Sequence, residues 1–126
     1  MRTITVRPVM ALAVVAIVSL ALVQLASART EPRAGASDTT DRVSGKEYSF
    51  KLSAKSIRKP GRVTFKFRNV GHLVHNFHIR GKGTPDLQPG KSATLAVNFK
   101  KKGTYRYLCT EPGHAAAGMR GVFTVH

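Results

Sequence analysis

Tryptophan is absent from this chain, and cysteine occurs once, as Cys109. A lone cysteine cannot close an intramolecular disulfide, so Cys109 is an intermolecular bridge, an inert buried thiol, a nucleophile or a metal ligand. Acidic residues are scarce, with 6 Asp and Glu against 21 Lys and Arg and a formal net charge of +15. No stretch keeps a helical period long enough to form a helix, and no segment repeats another, which excludes helical bundles and solenoids.

The N-terminus carries the longest apolar run. Arg2 and Arg7 flank a basic start, Val9 to Val23 is almost wholly apolar, and Ala26-Ser27-Ala28 offers the small residues of a cleavage site. This pattern makes residues 1–28 a signal peptide of an exported chain, or an anchor if it stays uncleaved. Residues 29–44 (RTEPRAGASDTTDRVS) hold little to bury and read as a flexible linker. The remaining 45–126 is one domain. Removing residues 1–28 leaves 19 basic residues against 6 acidic ones. Such an excess favours acidic partners by long-range attraction, and export argues against nucleic acid. Most of the cations are dispersed among apolar residues like solvated strand faces, and only Lys100-Lys101-Lys102 forms a run.

From Gly45 onward the dominant period is two. Tyr48, Phe50 and Leu52 alternate with Glu47, Ser49 and Lys51; Val63, Phe65 and Phe67 alternate with Arg62, Thr64, Lys66 and Arg68. Further strands are expected at Val74–Arg80, Lys91–Phe99, Thr104–Cys109 and Gly121–Val125, with breakers at Pro60-Gly61, Asn69-Val70-Gly71 and the loop 81–90. The expected product is an all-β, antiparallel two-sheet sandwich of about 80 residues.

Chemistry concentrates after the tyrosine strand. In YLCTEPGHAAAGMRG, Cys109, His114 and Met119 fall at C-x4-H-x4-M. Thiolate, imidazole and thioether together suit copper, which accepts nitrogen and sulfur, and differ from the carboxylate donors of calcium or magnesium sites. Methionine disfavours zinc. Pro112-Gly113 and Gly118 let the three side chains turn toward one point. A weak thioether needs a second imidazole beside the thiolate, and His72, His75 and His78 are candidates.

The pairing of N-x-G-x3-H-N-F with C-x4-H-x4-M resembles the plastocyanin/azurin-type cupredoxins over the whole of residues 45–126. The resemblance implies a Greek-key two-sheet β-sandwich or barrel and one type I copper ion. The histidine directly before Asn is a copper ligand in that family, which matches His75; Asn76 then matches a residue that bonds toward Thr110, the residue after the cysteine. Strand parity independently sets His75 with Phe77 and Ile79 on the inward side and His72 and His78 outward.

The implied activity is one-electron transfer by Cu(I)/Cu(II) cycling, with His75, Cys109 and His114 in plane and Met119 axial. Small apolar residues around His114 (Gly113, Ala115, Ala116, Ala117, Gly118) suggest a flat rim for electron entry, and a monomer meeting redox partners that are acidic at the docking face. An enzyme is disfavoured: multicopper oxidases and copper nitrite reductases resemble the domain but need extra His-x-His pairs and further domains, and nothing beside Cys109 supplies an oxyanion hole or an orienting carboxylate. The alternative use of the same four residues is copper binding and delivery outside the cytoplasm.

Overall fold

The computed structural model describes residues 38–126, so the expected signal segment and the linker up to residue 37 lie outside the described residues. Nine strands follow one another: β1 (Thr39–Lys46), β2 (Ser49–Leu52), β3 (Ser56–Ile57), β4 (Gly61–Asn69), β5 (His78–Ile79), β6 (Lys82–Gly83), β7 (Ser92–Phe99), β8 (Gly103–Leu108) and β9 (Arg120–Val125). They form a four-stranded sheet in the order β2-β1-β4-β7 and a five-stranded sheet in the order β3-β9-β8-β5-β6. Alternation drives both. In β4, Val63, Phe65 and Phe67 are buried while Arg62, Lys66 and Arg68 face solvent.

The two inner faces meet in an aromatic core. Phe65 contacts the rings of Phe77, Phe99 and Phe123 at centroid separations of 5.2, 6.4 and 5.4 Å, linking both sheets through one side chain. Phe50, Phe67 and Tyr107 extend the cluster around Phe77.

Three expectations are corrected. Residues 39–44 belong to a strand rather than a linker: β1 runs parallel to β4 from Thr39↔Val63 to Gly45↔Asn69 and antiparallel to β2. Its inward positions are Asp41, Val43 and Gly45, and only one of these carries a large apolar side chain. The buried Asp41 carboxylate accepts bonds from the Ser53 hydroxyl and, at 2.9 Å, the Ala54 amide. Second, the sheets are mixed rather than antiparallel, because β3 also runs parallel to β9. Third, the expected strand at Val74–Arg80 is regular only at β5; before it, His75 makes an isolated bridge with Leu87, and His75, Asn76 and Phe77 are buried in succession. Three consecutive inward residues cannot belong to one pleated strand.

Candidate metal centre

The centre begins where β8 ends. Cys109 is fully buried, and its amide donates to the Met119 carbonyl at 3.0 Å, tying the start of the following loop to its end. Inside that closure the amide of Met119 donates to the His114 carbonyl at 3.0 Å, and the amide of Ala117 to the Gly113 carbonyl at 3.0 Å. Gly118 holds φ at +119°, a conformation closed to side chains with a Cβ, and this allows the turn that sends Met119 back inward. The breakers seen in the sequence therefore fold the loop so that Cys109, His114 and Met119 return to one end of the sandwich.

His75 arrives from the other side. Its amide donates to the Leu87 carbonyl at 3.1 Å and its carbonyl accepts from the Leu87 amide at 2.8 Å, which fixes the backbone carrying the ring. His75 Nδ1 lies 3.1 Å from His114 Nδ1, and His114 Nδ1 lies 3.6 Å from Cys109 Sγ. One donor atom from each of His75, Cys109 and His114 falls within 4.8 Å of the others. Two imidazole nitrogens and a thiol turned toward a common point, two of the three residues fully buried, fit a thiophilic metal that also takes nitrogen. Met119 is fully buried, with its terminal methyl packed where a Cβ on Gly45 would stand.

The other two histidine candidates fall away from this point. His72 is 97% exposed, and His78 is half-buried within β5. Asn76 is bonded twice to the residue after the cysteine: its Nδ2 donates to Thr110 Oγ1 at 2.8 Å, and its Oδ1 accepts the Thr110 amide at 2.8 Å. A further bond, Nδ2 to Asp86 Oδ1 at 2.7 Å, ties the same side chain to the 81–90 loop.

Sequence reasoning missed two residues. Glu47, placed on a solvated strand face by alternation, instead folds over the 70–74 turn. Its Oε1 accepts the amides of His72 at 2.7 Å and Leu73 at 2.6 Å and lies 3.2 Å from His75 Nε2. Its own backbone amide first, then those of Leu73 and His72 and the His75 ring, hold the carboxyl down to about 2 against the opposing effect of burial. A carboxylate is acceptor only, so it pairs with Nε2–H and leaves His75 Nδ1 with its lone pair facing Cys109 and His114. Gly71 makes this possible, since a Cβ there would meet the Glu47 carboxylate at 2.6 Å. Tyr48, expected inward, is 42% exposed and packs edge-on against His114 at a centroid distance of 5.1 Å. No periodic signal relates either residue to His75 or His114, which lie 27 positions or more away.

Residues 36–126 match the family of copper-binding proteins described as the plastocyanin/azurin family. The chain belongs to that family. Its cofactor is accordingly copper, and His75, Cys109 and His114 form a type I arrangement. Among curated relatives, auracyanin-B of Chloroflexus aurantiacus is 45% identical over 42 residues, a match spanning 33% of this chain and 18% of that protein. Among solved structures, dithionite-reduced auracyanin from Roseiflexus castenholzii superposes with a TM-score of 0.63 at 26% identity, covering 73% of this chain and 99% of that one. A multicopper oxidase shares the fold at a TM-score of 0.55 and 21% identity, but this chain covers only 41% of it.

Proposed function

We propose that this cupredoxin is a one-electron carrier that works outside the cytoplasm, in which the two imidazoles of His75 and His114, the Cys109 thiolate and the Met119 thioether would hold the copper. One observation carries the reading. His75 Nδ1, His114 Nδ1 and Cys109 Sγ are already gathered by backbone bonds and side-chain braces, so the donors need little movement to hold either oxidation state. Copper supplies the one-electron redox change when bound. The protein's residues set its surroundings: Glu47 orients His75, while Asn76 and Thr110 hold the loop that follows Cys109.

Access supports a carrier rather than an enzyme. His75 and Cys109 are sealed, whereas His114 is half-buried beside Tyr48, Ala115 and the exposed Ala116, Ala117 and Gly118. A partner can approach one imidazole edge over a small apolar rim. The signal-like segment 1–28 supports export, and the scarcity of acids supports an acidic docking face on the redox partner of a monomeric carrier.

The test is the visible spectrum of the Cu(II)-loaded protein. A strong thiolate charge-transfer band at ~600 nm is expected for Cu(II) held by a thiolate and two imidazoles. A colourless Cu(II) complex, or rapid copper transfer to an acceptor with no electron exchange with a soluble redox dye, would sink the carrier reading.

A further inference from the structure

The basic residues that looked dispersed in sequence are gathered by the fold. On the outer face of the β2-β1-β4-β7 sheet, the register places Lys51 beside Ser44, Ser44 beside Arg68 and Arg68 beside Ser92, making one row across all four strands. The next row runs from Ser53 past Arg42 and Lys66 to Thr94, with Arg42 joined to Ser53 by backbone and hydroxyl bonds of 2.9 Å. Between and around these rows lies a hollow of about 630 Å³, lined by those eight residues together with Val43, Leu52, Phe67 and Ala93 of the same strands. All four cations are exposed, and none pairs with a carboxylate among the described residues. The one acid in these four strands, Asp41, points inward and is fully buried.

We propose that this trough is a docking site for an extended acidic peptide segment of a protein partner. Charge fixes the sign of the occupant: four unpaired cations among four hydroxyls repel each other until anions enter. Shape fixes its form. Three inter-strand spacings of roughly 4.8 Å make the trough about 14 Å long, the reach of about four extended residues. Phe67, the aromatic residue along it, is fully buried, so the trough offers no stacking platform for nucleic-acid bases. A bilayer surface would span a hollow without filling it. The hydroxyls of Ser44, Ser92 and Thr94 can exchange bonds with carboxylates or peptide groups between the cations, while that of Ser53 is already committed to Asp41. The inference extends the acidic-partner reading given above but rests on this face alone and needs no copper.

The test is fluorescence anisotropy of a labelled oligoglutamate peptide with the full chain, measured with and without copper so that failure here stays separate from failure of the colour test. Neutralising the trough with Arg42→Gln, Lys51→Gln, Lys66→Gln and Arg68→Gln is expected to weaken binding about tenfold or more. A control losing the same charge elsewhere (Lys100→Gln, Lys101→Gln, Lys102→Gln and Arg106→Gln) is expected to change it by less than about threefold. In the ¹⁵N-labelled chain, the peptide should shift the amides of Ser44, Ser53, Ser92 and Thr94. Equal weakening in both variants overturns the proposal, as do shifts confined to residues 114–118. So does binding to phosphatidylglycerol vesicles that depends on the trough while the peptide does not bind.

Discussion

Glu47 Oε1 stands 3.2 Å from His75 Nε2 while also accepting two backbone amides of the 70–74 turn, so one carboxylate orients a ligand ring and the turn that leads to it. Replacing it separates the two jobs. Glu47→Gln keeps an acceptor for the amides but drops the charge that makes His75 a stronger donor to Cu(II). Its reduction potential is expected to rise and its Cu(II) affinity to fall roughly 10- to 100-fold, with little loss of fold stability. Voltammetry and a competition titration read both; an unchanged potential would leave Glu47 a purely structural residue. Glu47→Ala should in addition lower the melting temperature, because the His72 and Leu73 amides lose their acceptor.

Cys109→Ser should fold and lose the blue band entirely, since a hydroxyl of similar size replaces the thiolate in a closed site. Removing copper from the wild type should leave the sandwich intact, because the core around Phe65 stands without the centre. The apo-protein should nonetheless be less stable, by about 2.7 kcal/mol relative to a sample with free copper at about 100 times its dissociation constant. Calorimetry of the two forms checks this.

Asn76→Ala removes three hydrogen bonds from a buried side chain and strands the Thr110 amide. A loss of about 2–3 kcal/mol in urea unfolding is expected, with weaker copper binding as the loop after Cys109 loosens. Thr110→Ala keeps the amide bond and should cost less, on the order of 1 kcal/mol.

Gly45→Ala places a methyl 2.8 Å from the Phe67 ring and 3.0 Å from the terminal methyl of Met119. Destabilisation of about 1–3 kcal/mol is expected from overpacking. Because Met119 must shift to admit the methyl, the intensity ratio of the copper absorption bands should change too. A stability loss with an unaltered spectrum would argue against Met119 as the axial ligand.

The chemistry-bearing loop was legible because its information is local. Cys109, His114 and Met119 lie within eleven consecutive residues, and the glycines that turn the loop are visible beside them. His75 needed the parity of Phe77 and Ile79, and all three are buried, although Asn76 between His75 and Phe77 is buried as well and the regular strand starts only at His78. Strand β1 was hidden for the opposite reason. Its inward side offers Asp41 and Gly45, a carboxylate satisfied by Ser53 and Ala54 and a glycine making room for Phe67 and Met119, so no apolar alternation announces it. Glu47 was hidden further still, because its role depends on a turn and a ring more than twenty positions away. The cationic rows could not be read without the register that aligns β1, β2, β4 and β7.

The backbone bonds that join Cys109 to Met119, and Met119 to His114, shut the loop on itself just beyond the last β8–β9 pair, Leu108↔Arg120. The hairpin below is complete without whatever the loop contains. Inheritance can therefore lengthen, shorten or rewrite the interval between cysteine and methionine as a separate cassette, so that the redox character of descendants drifts while the architecture beneath them stands still.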